Sequence, residues 1–225
     1  MNPDSLARIA SRYSTAGAWD RFHVKHRLRL CPHDALLPYL PQAGNVLDIG
    51  CGFGLLGLYL QETRPAVTYY GADIDERKIA LARAAFSARS TGPQPDQLFA
   101  GDVLNWHNRP STFRVVTILD VLLLMPVALQ KQLFDFSCSV LDHEPDAALL
   151  LKILPSLHGA ARYRTWLQEN IMVRVLRKTQ SSGALFTTQD PALYESWGRA
   201  QGFVSEEVVM PTTPPSSLLV LRRQT

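Results

Sequence analysis

Val46 to Leu60, VLDIGCGFGLLGLYL, decides the fold. Val46-Leu47-Asp48-Ile49 is too short for a helix and β-branched enough for a buried strand. Gly50, Gly52 and Gly54 follow at alternate positions, and Leu55 to Leu60 then reads as a helix. Strand, glycine-rich turn and helix open a nucleotide-binding βαβ unit, in which glycine lets the backbone bend sharply and lets a ligand approach where a Cβ would clash.

Two cofactor classes compete for this turn. Gly52-x-Gly54-x-x-Gly57 matches the dinucleotide pattern of NAD and FAD folds, but that pattern starts where the strand stops, and Gly50 already holds that place. The fuller string is Asp48-x-Gly50-x-Gly52-x-Gly54, with a carboxylate at the strand end. A carboxylate suits a cationic ligand and repels a pyrophosphate. This string resembles motif I of the class I S-adenosylmethionine (SAM) methyltransferases. The resemblance implies that Asp48 faces the cofactor's amino group, directly or through water. It also implies that the backbone of Gly50, Cys51 and Gly52 passes under the methionine part.

The downstream segments extend the likeness. Val67 to Ala72 is a β-rich run ending at Asp73, placed where a carboxylate can accept both ribose hydroxyls. YYGADIDERKIALAR resembles motif II, with Ile74 beside Asp73 in the expected cofactor set; Asp75 reads as the N-cap of a helix from Glu76 to Arg89. Gln97 to Ala100 is a short strand before Gly101-Asp102-Val103. In the family such an acid binds the adenine amino group, and the next residue offers its backbone N–H to a ring nitrogen. NAD folds call for no acid there, so the ordered set favours SAM.

Val115 to Leu119 is a fourth buried strand delivering Asp120 at its carboxyl end, where ligands sit in open α/β sheets. Asp120 is the expected catalytic position as well as a cofactor neighbour. LDVLLLMP resembles the L-D-V-L-H-x-x-P string of many small-molecule methyltransferases, with Leu123 in place of the usual histidine. The N-P-P-Y type string of amino-methylating DNA and protein enzymes is missing. Pro126 to Val140 reads as a helix, Ala147 to Leu154 as a fifth strand, Gly159 to Arg177 as a helix, and Asp190 to Gly202 as another. Phe203 to Met210 and Ser217 to Arg223 read as a terminal hairpin.

Upstream, residues 3–12 predict a short helix capped by Asp4 or Ser5, and Asp20 to Leu30 a second, with Arg21, Lys25 and Arg29 on one face. A third spans His33 to Leu40. In class I methyltransferases a basic residue before motif I sometimes holds the SAM carboxylate, and the resemblance points to Lys25 for that role. His23, His33, His158 and Tyr163 are candidate bases. His23 and His26 have no third ligand nearby, so no metal is expected.

The resemblance therefore implies an α/β, Rossmann-like, doubly wound fold. Its seven-stranded sheet is mostly parallel, with an antiparallel C-terminal hairpin strand and an N-terminal helical cap. Residues 1–225 form one domain: a cap over 1–43, a SAM-binding core over 44–154, and a substrate-side helix and hairpin over 155–225.

Composition agrees. The 225 residues, 46% hydrophobic and 19% charged, suit one well-buried α/β domain. Cys31, Cys51 and Cys138 form no C-x-x-C pair, so neither a disulfide framework nor zinc is indicated. The start lacks a signal-peptide core and no run is long enough to span a bilayer, which predicts a cytoplasmic protein. Residues 1–40 and 152–225 carry an excess of Lys and Arg, and residues 41–151 an excess of Asp and Glu. Basic flanks suit an acidic partner. Val24 to Pro32 (VKHRLRLCP) and Pro215 to Arg223 (PSSLLVLRR) are similar to methyltransferases of bacterial aryl-polyene-type pigment pathways. That likeness implies a small aromatic or acyl-carrier-bound acceptor and an acidic acyl carrier protein as partner, with nucleic acid not expected. An RNA or protein methyltransferase, or a SAM-binding subunit without activity, stays open.

Overall fold

The computed structural model describes residues 3–31, 33–87, 97–153, 189–212 and 216–224. Two helices come first, α1 (Pro3–Ser11) and α2 (Ala18–Leu30), then a 3₁₀ helix over His33–Tyr39. The alternating unit follows: β1 (Ala43–Ile49), α3 (Leu55–Thr63), β2 (Ala66–Asp73), α4 (Glu76–Ser87), β3 (Leu98–Ala100), β4 (Val115–Leu119), α5 (Val127–Val140) and β5 (Ala148–Ile153). α6 (Pro191–Ala200), β6 (Phe203–Met210) and β7 (Ser216–Arg223) close the chain. The predicted helix over Gly159–Arg177, with His158 and Tyr163, lies outside the described residues.

The seven strands form one sheet in the order β3-β2-β1-β4-β5-β7-β6. β1 to β5 run parallel, while β7 is antiparallel to both β5 and β6. The fold expectation is met. Strand order reverses between β1 and β4, which opens a crevice at their carboxyl ends.

Each face of the sheet buries its own apolar layer, as period-two alternation requires. Val46, Leu150 and Val220 pack on one face with Ile9 and Leu28 of the N-terminal helices, Leu58 of α3 and Ile79 of α4. Leu47, Ile118 and Leu149 pack on the other with Phe134 of α5 and Tyr194 of α6. Helices thus cover both sides of a sheet whose central strands are mostly apolar, with Asp48, Thr117 and Lys152 the buried polar exceptions. Among the described residues β6 is an edge strand of the sheet, and Glu206 and Glu207 lie exposed along it.

Several local readings hold to the residue. Asp75 accepts the backbone N–H of Lys78 at 3.1 Å, and Asp190 that of Ala192 at 3.0 Å, so both cap their helices. Two differ. α1 begins at Pro3, ahead of its expected caps, because proline needs no N–H in a first turn. His33–Tyr39 winds as 3₁₀ and not as an α-helix, since Pro38 inside it cannot donate an i→i−4 bond.

Gly57 has its own reason to be glycine. A Cβ there would come within 2.5 Å of the Tyr69 ring and 2.8 Å of the Phe86 ring, so the missing methyl lets α3 lie close on β2 and α4. Helix propensity alone makes Gly57→Ala stabilising by about 1 kcal/mol. Overpacking decides the other way: a loss of about 1–3 kcal/mol is expected from urea denaturation. An alanine variant as stable as the parent would show that the two rings yield freely.

Candidate functional site

The glycine turn is a backbone structure first. Gly50, Gly52 and Gly54 all take positive φ, at 74°, 55° and 70°, a region that L side chains resist. The N–H groups of Gly50 and Cys51 donate to the Ala72 carbonyl at 2.7 and 3.0 Å, binding the turn to the end of β2. A Cβ on Gly50 would lie 2.2 Å from a methyl of Val121, so the turn also abuts the segment leaving β4. Cys51 is buried in the turn, and burial pushes its thiol well above the usual range.

Asp73 stands beside this turn. Its Oδ2 accepts the N–H of Gly52 at 2.8 Å and its Oδ1 the N–H of Asp75 at 2.9 Å, which fixes the carboxylate plane. Each oxygen keeps a second lone pair for a ligand hydroxyl. Ile74 follows, 50% exposed. The Asp73 carbonyl accepts from Gly101 at 2.9 Å, which joins the end of β3 to the same place. Asp102 is exposed there, its Oδ1 accepting from Leu104 N–H at 3.0 Å, and Val103 is buried at the start of a short 3₁₀ turn.

Asp48 lies deeper. It is only 4% exposed, with Thr117 Oγ1 donating to Oδ1 at 2.7 Å and Tyr69 donating to Oδ2 at 2.8 Å. Thr117 is its register partner on β4, which explains the short reach. Burial pushes its carboxyl up to about 6, against the pull of the two hydroxyl donors and with a further push from the charge of Asp73. The three predicted carboxylates therefore stand at the ends of the adjacent strands β1, β2 and just past β3.

Asp120 sits on the other side of the strand-order reversal, at φ 60°, and is the one non-glycine residue with positive φ among the described residues. Its Oδ2 accepts from Arg27 Nη2 at 2.9 Å and from Lys152 Nζ at 2.8 Å. Burial pushes its carboxyl up, but the two cations prevail and hold it below the usual carboxylate range.

α2 lies over these ends. Asp20 pairs with Arg77 at 2.6 Å, the His23 ring lies 5.5 Å from Phe53, and Arg27 reaches Asp120, so residues 20, 23 and 27 share the inward side. Tyr13, just before α2, donates to the carbonyl of Phe53 in the glycine turn. Lys25, the residue singled out from the sequence, is exposed on the outward side with Arg21 and Arg29. The basic residue that α2 aims at the strand ends is Arg27. Helical spacing could have found it, since 20, 23 and 27 form a single stripe, but nothing local says which stripe faces inward. Lys152 was hidden within the apolar run of β5.

Neither described candidate base is poised near neutrality. Burial, together with Arg27, lowers both His23 and His33 to about 4. Leu123 is buried in the 3₁₀ turn after Asp120. Cys31, Cys51 and Cys138 are free thiols, and no group of three or more His, Cys, Asp or Glu able to hold a metal occurs among the described residues. No helix among them is long and apolar enough to cross a membrane.

The family model described as "Methyltransferase domain" matches residues 46–144. Among solved structures, the chain is similar to magnesium protoporphyrin IX methyltransferase from Synechocystis PCC 6803 with bound SAH. The TM-score is 0.64 at 20% identity, covering 99% of this chain and 96% of that one. It is also similar to the pyocyanin biosynthetic protein PhzM, with a TM-score of 0.66 at 15% identity over 94% of this chain and 61% of that one. These likenesses establish the fold. A ribosomal RNA small subunit methyltransferase C from Haemophilus ducreyi is 43% identical over 44 residues, which span 20% of this chain and 13% of that protein.

The buried Asp48 gives a signed pH test. Its folded value near 6 lies above the unfolded one, so between about pH 4 and 6 the folded state binds more protons and this group's contribution to stability falls as pH rises. Asp48→Asn removes that loss. In thermal melts from pH 4.5 to 7.5, the melting temperature of the variant relative to the parent is expected to climb by a few degrees across that window. A difference that stays flat with pH would mean that Asp48 carries no burial penalty.

Proposed function

We infer that this chain, a class I, Rossmann-like methyltransferase that uses S-adenosyl-L-methionine, delivers the methyl group to a small-molecule acceptor. The observation that carries the reading is the cradle at the ends of β1, β2 and β3. Three carboxylates stand at strand ends around a turn in which Gly50, Gly52 and Gly54 carry no Cβ, and one of them is bonded to that turn. This donor and acceptor set suits a ligand with an amine, a ribose and an adenine, and its negative charge disfavours a pyrophosphate.

In this reading the Asp48 carboxylate supports the cofactor's amine from below. The backbone of Gly50, Cys51 and Gly52 runs under its methionine portion. Asp73 takes the ribose hydroxyls on its two spare lone pairs, with Ile74 packing beside them. Asp102 accepts from the adenine amino group, and the backbone of Val103 meets a ring nitrogen. Residues 1–43 act as a cap over the 44–154 core, and α2 contributes Arg27 at the Asp120 end. Lys25, the residue expected from the sequence to hold the cofactor's carboxylate, is exposed on the outward side of α2, and Arg27 is the basic residue of that helix at the strand ends. When bound, the cofactor supplies a methyl group on a sulfonium: an acceptor lone pair forms the new bond as the carbon–sulfur bond breaks and its electrons return to sulfur. The protein then contributes chiefly by positioning, where effective molarities reach about 10⁵ M.

A small acceptor is supported by the names of the structural relatives, a protoporphyrin methyltransferase matched over nearly its whole chain and a pyocyanin biosynthetic protein matched over 61% of its own. The ribosomal RNA relative shares only a short segment. The basic surplus of the N-terminal segment suits delivery of the acceptor on an acidic acyl carrier protein.

Calorimetric titration with S-adenosylhomocysteine tests the cofactor, and tritiated methyl transfer into a cell extract tests the acceptor. Binding is expected in the wild type and weakened at least about tenfold in Asp73→Asn, which loses charged hydrogen bonds to ligand and turn alike. The label is expected in the small-molecule fraction. No binding would remove the cofactor assignment, and label in RNA or protein would remove the small acceptor.

A further inference from the structure

The cradle occupies the ends of β1 to β3, which leaves the ends of β4 and β5, across the order reversal, for the acceptor. What stands there is a charged group built at visible expense. Lys152 lies on β5 in register with Leu119 and shares its face with the buried Ala148 and Leu150. It is 6% exposed. An ammonium carries three N–H donors, and taking it out of water is unfavourable unless they are used. Among the described residues one bond is present, to Asp120 Oδ2 at 2.8 Å. That same oxygen already accepts from Arg27 at 2.9 Å. Asp120, meanwhile, is held in a left-handed conformation that its side chain resists. Two cations share one carboxylate oxygen, and among the described residues that bond uses one of the three ammonium protons.

We propose that Lys152, seated by Asp120 and flanked by Arg27, binds the acceptor's reacting oxygen as an oxyanion. The acceptor class is then an acidic hydroxyl or a carboxylate, and amines are disfavoured by the two cations. This deepens the methyl-transfer reading and rests on it. The surroundings agree from each element packed on the group. From α2 and the turn after it come Arg27 and two groups held neutral by burial, His23 and Cys31. The 3₁₀ helix contributes His33, also held neutral by burial with Arg27 and Lys152 nearby, and Asp34, whose charge opposes that shift. From β1 comes Asp48, which accepts from Thr117 and Tyr69. A hydroxyl acceptor gives its proton to water on binding and keeps the O–H electron pair on oxygen. No protein base is then required, which fits a site whose described histidines are poor bases at neutral pH.

The test uses the full chain saturated with S-adenosylhomocysteine and three probes. 4-Nitrophenol is followed by the absorbance of its phenolate at a pH about one unit below its own pKa, benzoate by calorimetry, and 4-nitroaniline as the uncharged amine control. One or both oxyanions are expected to bind more tightly than the aniline, with 4-nitrophenol turning to its coloured form on the protein. Which of the two binds separates a hydroxyl acceptor from a carboxylate one. Lys152→Met is expected to weaken oxyanion binding at least about tenfold, while affinity for S-adenosylhomocysteine stays within about twofold. Lys152→Arg is expected to recover part of the loss. Oxyanions that bind no better than the aniline, or that bind Lys152→Met as well as the parent, would overturn the proposal. The wild-type comparison decides alone if the methionine variant does not fold. Intact S-adenosylhomocysteine binding with no oxyanion preference removes this inference only; absent binding removes the cofactor reading beneath it.

Discussion

One carboxylate holds the cleft in shape. Asp73 accepts from the glycine turn after β1 through Gly52 and from its own following turn through Asp75, while its carbonyl accepts from Gly101 after β3. Three chain segments far apart in sequence are thereby set at fixed distances around the end of β2. The positive φ angles of the glycines make such a turn possible, but they do not choose its position. The hydrogen bonds to Asp73 and to the Ala72 carbonyl do that. A side chain that builds the frame and still has lone pairs to offer couples structural order to ligand recognition, since loosening one loosens the other.

The electrostatics of the cleft follow from which groups were left in apolar surroundings. Asp48 is buried with two hydroxyl donors and only the weaker pull of the Arg27 charge, so its ionisation is held back. Asp120 is nearly as buried, yet it meets Arg27 and Lys152 and is held ionised. Two aspartates on neighbouring strands thus differ in charge tendency through their partners alone. The crevice is divided into an end that favours cationic ligand groups and an end dominated by paired cations. That division coincides with the reversal in strand order between β1 and β4.

Much of this architecture was legible in the chain because its signals are local. Asp48, Asp73, Asp102 and Asp120 each close an apolar run, and strand ends in this fold point to one side. Asp75 and Asp190 cap helices by contacts within three residues. The terminal hairpin announced itself as two β-rich runs across a proline-rich turn. What escaped depends on tertiary direction. The choice of Arg27 over Lys25 requires knowing which side of α2 meets the sheet, and α2 has no strong apolar stripe to say so. Lys152 sits inside AALLLKIL, where the apolar context conceals a charge whose partner lies 32 residues away. The left-handed turn at Asp120 has no glycine to mark it.

The edge strand β6 carries a consequence beyond the cleft. No strand among the described residues pairs with its outer row of amides, and Val204 and Val209 are half to three-quarters exposed along it. A second molecule adding itself there in antiparallel fashion would bring Glu206 and Glu207 near their own counterparts, a cluster of like charges that the Arg222–Glu206 pair offsets only in part. At the opposite margin β3 offers only three residues, too few to template a neighbour. The glutamates act as gatekeepers, so substitutions that remove their charge would turn this flank from a repellent border into an adhesive one.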